Sequence, residues 1–208
     1  PYMNGGNLSK LIGKTAQDLE RGLYVLDGIG SALNYLHTRG IIHRDLTPSN
    51  IGFNIHGRVF LMNFHKAISF NNNIPITNKF DDISNNKSYL APEVCTRLHH
   101  HSFQSDFWSL GVIFIEILTG KNPFPQGPPL VENSQQYFEG MWLHLYPQTL
   151  INMHAIDPFD HYFQNNQHAR PPPIDTIRSF KGLSDVCLSL INRLLNYDII
   201  QRYGNRQN

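Results

Sequence analysis

The stretch from Ser105 to Thr119 constrains this chain more than any other. Phe107, Trp108, Leu110, Val112, Ile113, Phe114, Ile115, Ile117 and Leu118 leave it almost no polar face. A helix of that composition is buried on all sides, so other elements must cover its whole circumference. It falls short of the ~20 apolar residues of a membrane span, and Gly120 and Pro123 end it.

Around it the hydrophobic spacing predicts further elements. Leu19, Leu23, Leu26, Ile29, Leu33 and Leu36 recur at steps of three and four, one apolar stripe along a long helix that Gly40 stops. Thr15-Ala16-Gln17-Asp18 resembles a capping box at its start, and Asn4-Gly5-Gly6-Asn7 before it reads as a turn. Ile51 to Met62 reads as two short strands around an Asn-x-His-Gly turn. From Ala67 to Ser88 the chain is rich in Asn, Asp and Ser and lacks periodicity, the pattern of a mobile loop. Leu183, Val186, Cys187, Leu190, Ile191, Leu194 and Leu195 form a last amphipathic stripe. The section 125–173, interrupted by prolines, is expected to be irregular apart from one short helix near Ser134 to Leu145.

Composition narrows the class. The 208 residues, 40% hydrophobic and 16% charged, suffice for one domain with a real core. Seventeen basic and 16 acidic residues leave a net charge of +1, which supplies no whole-chain attraction for nucleic acid or an anionic membrane. Cys95 and Cys187 cannot build a disulfide framework and read as packed thiols, in keeping with an intracellular protein, cytoplasmic or nuclear. No apolar run is long enough to span a membrane, and the N-terminus lacks a signal-peptide pattern. His99-His100-His101 reads as a solvated loop, because consecutive side chains point in different directions and seldom chelate one ion. The chain starts at Pro1 without an initiator methionine and reads as a fragment of a longer one.

Five motifs carry chemical meaning. His43-Arg44-Asp45-Leu46-Thr47-Pro48-Ser49-Asn50 comes first, then Asn63-Phe64-His65, Ala91-Pro92-Glu93, Asp106-Phe107-Trp108-Ser109-Leu110-Gly111, and Asp198-Ile199-Ile200-Gln201-Arg202-Tyr203-Gly204-Asn205. In this order they resemble the large lobe of a eukaryotic protein kinase, with the first as the catalytic loop H-R-D-L-x-x-x-N and the second in the place of Asp-Phe-Gly. The last motif, with Ser88 to Glu93, resembles the AGC group of Ser/Thr kinases. Residues 1–8 look like the hinge between lobes. The resemblance thus covers 1–208, from that hinge to a last helix at 198–208, with 125–173 as an insertion. It implies a mainly α fold of the α+β family, a helical bundle around a buried central helix with short β-hairpins. The small β-rich lobe is expected to be absent from this sequence, which has no Gly-rich loop and no strand lysine.

The resemblance implies roles as well. Phosphoryl transfer is mostly positioning and charge neutralisation. Asp45 would accept the proton of the substrate hydroxyl, Arg44 would pair with negative charge in the activation loop, for which Asp82 is a candidate, and Asn50 would hold magnesium through its amide oxygen. Thr47 replaces the lysine that most Ser/Thr kinases place near the transferring phosphate, and a hydroxyl brings no positive charge. Asn63 replaces the aspartate that binds magnesium, offering a neutral oxygen to a hard cation. His65 puts a ring where the family keeps glycine. For ATP, the backbone of Met3 would meet adenine and Asn7 would stand near the ribose.

ATP and magnesium are therefore expected to bind weakly or not at all. Glu93 with Arg202, and Asp106 with the catalytic loop, match the family's structural anchors. The leading expectation is a pseudokinase or truncated kinase relative that acts by binding or scaffolding a protein partner, with docking through 137–170. The alternative is an active Ser/Thr kinase whose small lobe lies upstream of Pro1.

Overall fold

The computed structural model describes residues 4–13, 19–69, 87–95, 101–128, 130, 184–199 and 201–203. The capping box at 15–18, the loop at 70–86 with Asp82, and the 137–170 docking segment lie outside them, as does the helix expected near 134–145.

Helix α1 (Leu19–His37) and helix α2 (Phe103–Thr119) pack together, and α3 (Asp185–Leu194) packs on α2. The apolar run is the central helix α2, buried from Gln104 to Ile115 except at Phe107. Ser102 caps it, three residues before the apolar run, by exchanging hydrogen bonds with Ser105 in a capping box, and Gly120 ends it at a φ of 72° that glycine adopts without strain. One apolar cluster on α2 gathers Trp108, Phe114 and Ile115 with Leu90, Val94, Ile191, Leu195 and Ile199. Another gathers Leu110 and Ile113 with Val25, Ile29, Leu33, Leu46 and Ile51. Each fully buried side chain of this kind stabilises the fold by roughly 1.5–3 kcal/mol.

The stripe on α1 needs one correction. Leu23 is 40% exposed, and the buried face runs through Gly22, Val25, Ile29, Leu33 and Leu36. Close approach decides it: a Cβ on Gly22 would lie 3.3 Å from Leu118 and Phe114, so α2 seats against that side. On α3 the expected stripe is corrected likewise, because Val186 is 78% exposed while Cys187, Ile191 and Leu194 are buried. Leu183 lies outside the described residues. Gly111 lets α3 close on α2, since a Cβ there would meet Leu194 and Leu195 at 2.9 Å. The last helix expected over 198–208 is not seen in its described part. The carbonyl of Asp198 takes the amides of Gln201 and Arg202 in a turn, and α3 is the last described helix.

Two small antiparallel sheets complete the described fold. β2 (Ile51–Phe53) pairs with β3 (Val59–Leu61), Ile51 opposite Leu61. The turn between them has Gly57 at a φ of 76° and Asn54 Oδ1 accepting the amides of His56 and Arg58, as the Asn-x-His-Gly reading expects. β1 (Ile41–Ile42) pairs with β4 (Ile68–Ser69). The expectation of a loop from Ala67 is corrected at Ile68 and Ser69, which are held as a strand. These pairings place 43–50 and 63–66 against each other. No described helix is long and apolar enough to cross a membrane.

Candidate functional site

The loop after β1 is held from below by α2. Asp106 Oδ2 accepts the backbone N–H of His43 at 2.9 Å and Oδ1 that of Arg44 at 3.0 Å. His37, at the end of α1, donates its Nε2–H to Asp106 Oδ2 at 2.9 Å. Burial alone would raise the Asp106 carboxyl, but the hydrogen bonds from the His37 side chain and the His43 backbone hold it below its ordinary value. The loop needs that anchor, because Arg44 sits at a φ of 69°, a backbone that L side chains resist. Arg44 itself is buried, and the acidic partner proposed for it, Asp82, lies outside the described residues.

His43 carries the tie onward. It is fully buried; its Nε2–H donates to the carbonyl of Met62 at 2.9 Å and its Nδ1 accepts the amide of Asp45 at 3.3 Å. One neutral imidazole thus joins the 43–50 loop to the residue before Asn63. Phe64 meets the same ring edge-on, with centroids 5.1 Å apart.

Asp45, Asn50, Asn63 and His65 then form one hydrogen-bonded chain. The amide of Asn50 donates to Asp45 Oδ2 at 3.1 Å and to the Asp45 carbonyl at 2.7 Å. The amide of Asn63 donates to Asn50 Oδ1 at 3.0 Å. His65 Nδ1 lies 2.6 Å from Asn63 Oδ1, and because an amide oxygen only accepts, Nδ1 carries the proton. Asn63 takes a left-handed φ of 67°, which asparagine tolerates better than most residues. The other oxygen of Asp45 faces Lys66, whose Nζ is 3.5 Å from Oδ1.

Several predicted residues therefore converge and others do not. Asp45, Asn50 and Asn63 are brought together, with Thr47 buried beside them on the same loop. Asn7 turns its Oδ1 to Ser9 at 2.8 Å, and its backbone bridges to Gly52. Met3 lies outside the described residues. His101 is buried, which corrects the reading of that histidine as solvated. Lys66 and His37 were not picked out from the sequence. Each acts through a partner far away along the chain, 21 residues for Lys66 and 69 for His37.

The donor chemistry decides what this cluster can hold. A hard dication favours anionic oxygens. Asn50 and Asn63 present neutral ones, each already accepting a side-chain hydrogen bond, while the carboxylate of Asp45 is engaged by Asn50 and Lys66. Magnesium does not fit this donor set.

Behind the site, Glu93 and Arg202 form a buried bidentate ion pair, at 2.6 Å from Nη1 and 3.1 Å from Nη2. Arg202 also donates to the carbonyls of Asn196 and Gln104 and stacks over Trp108.

Comparison with known proteins agrees over the whole length. A family model described as "Protein kinase domain" matches residues 1–208. Serine/threonine-protein kinase PAK mbt of Drosophila melanogaster is 30% identical over 82% of this chain and 25% of that protein. Mitogen-activated protein kinase 7 of Oryza sativa subsp. japonica is 32% identical over 80% of this chain and 29% of its own. Serine/threonine-protein kinase AtPK2/AtPK19 of Arabidopsis thaliana is 37% identical over 59% of this chain and 25% of its own. The chain thus spans roughly a quarter of the length of these curated relatives.

Proposed function

The chain belongs to the protein kinase family, and on that premise we propose that it is a kinase-like large lobe whose ATP-dependent Ser/Thr phosphotransfer is strongly impaired and which acts by binding a protein partner. One observation carries this reading: the two side chains in the metal-binding places, Asn50 and Asn63, are amides hydrogen-bonded to each other rather than a set of anionic ligands. Asp45 stands in the place of the base of the family reaction, and its carboxylate is engaged by Asn50 and Lys66. Without a dication on the phosphates, transfer loses much of the charge stabilisation that phosphoryl transfer depends on. The AGC-type character is proposed on the Asp198 to Asn205 pattern.

A second reading has its own support. Asp45 is buried in a loop anchored through His43, Arg44 and Asp106, which favours a retained base in an active Ser/Thr kinase with its small lobe upstream of Pro1. A radiolabelled-ATP assay on the full-length product separates the two. Under the first reading the wild type incorporates little or no phosphate and Asn63→Asp raises it. Robust incorporation that vanishes in Asp45→Asn overturns it.

A further inference from the structure

The site's charge inventory points to a replacement for what it lacks. Thr47 contributes no cation, and the amides of Asn50 and Asn63 do not fit a dication, so a polyphosphate here must find its positive charge elsewhere. Lys66 is in place to supply it. The short turn Phe64–Lys66 is closed by the Ala67 amide donating to the Phe64 carbonyl, and β4 follows at once, paired to β1. The turn thereby has a fixed position relative to the 43–50 loop. From it the ammonium reaches within 3.5 Å of Asp45 Oδ1, with its side chain 21% exposed and so open to a ligand. An ammonium has three N–H donors, and Asp45 takes one.

We propose that Lys66 is the phosphate-binding cation of this site, and that it holds the phosphates of a nucleoside triphosphate there without a divalent metal. The assignment rests on reading the site as a kinase nucleotide site. Asp45 orients the ammonium between itself and the ligand, so Lys66 takes over from across the hairpin the charge that position 47 no longer brings. A lysine acts on phosphate as a point charge, and the interaction weakens with salt.

Calorimetric titration of the full-length product with ATP, in EDTA and in magnesium chloride, tests this. Wild type is expected to bind equally in both, with affinity falling as sodium chloride rises. Lys66→Ala should weaken binding about tenfold or more, the loss of one charged hydrogen-bond donor, and Lys66→Arg should retain it. Both variants should melt at the wild-type temperature, since the side chain is partly exposed. Binding that needs magnesium, binding unchanged in Lys66→Ala, or no ATP binding in either buffer overturns the assignment. None of these outcomes bears on impaired transfer, which fails only if robust Asp45-dependent phosphate incorporation is found.

Discussion

Asp106 Oδ1 accepts the backbone N–H of Arg44 at 3.0 Å, so the most buried helix of the fold directly holds the most strained residue of the catalytic-type loop. Arg44 at a φ of 69° costs about 1–3 kcal/mol of backbone strain, which the surrounding contacts must offset. Replacing Asp106 with alanine removes the acceptor for two buried amides and for His37 together. The expected loss is about 3–5 kcal/mol, as for breaking a buried charged network, read from urea unfolding. A loss under about 1 kcal/mol would show that the loop holds its shape without the helix.

The same carboxylate makes stability depend on acid. Burial would raise its pKa, yet the hydrogen bonds from the His37 side chain and the His43 backbone bring it below the ordinary 3.8. A carboxyl lowered in the folded state stabilises above its unfolded value and loses that contribution as pH falls through its folded value. Melting temperature should therefore hold near neutrality and drop below about pH 4. In Asp106→Asn, which has no such group, the drop should be shallower; parallel pH profiles for the two proteins would contradict it.

Glu93 and Arg202 lie far apart in sequence and are almost completely buried together. Truncating either to alanine leaves the other charged and uncompensated, at about 3–5 kcal/mol. The double variant should cost clearly less than the sum, because the second truncation removes the charge that the first stranded. Additive losses in a double-mutant cycle would mean that the contacts of Arg202 with Asn196, Gln104 and Trp108, rather than the pair, hold this corner.

How much of this was readable beforehand follows from the range of each interaction. The helix at Phe103–Thr119 was legible because burial on all sides leaves an unbroken apolar run. The strands at 51–61 were legible because a local turn joins them. Which of Leu23 and Val25 faces inward was not, since both are apolar and the choice is made by how closely α2 approaches Gly22. Asp45, Asn50 and Asn63 were found through motifs. The hydrogen bonds that tie up their oxygens, and Lys66 beside them, depend on two loops meeting across a hairpin, which no spacing in the sequence encodes. The pairing of Ile68–Ser69 with Ile41–Ile42 escaped for the same reason.

The contact between Asn63 and Asn50 yields the sharpest test of the site. In the wild type, the Nδ2–H of Asn63 satisfies Asn50 Oδ1 at 3.0 Å. Asn63→Asp replaces that donor with an acceptor, so two oxygens then face each other, and the lost hydrogen bond should cost about 1 kcal/mol without metal. The substitution also brings an anionic oxygen beside a neutral one, the donor chemistry that a hard dication favours. A ligand that binds only the folded state stabilises it. Asn63→Asp should therefore melt lower than wild type in EDTA and rise when magnesium chloride is added, whereas wild type should not respond. An equal magnesium shift in both proteins would mean that the paired amides already accept the ion, and the reading of this site as unsuited to a dication would fall.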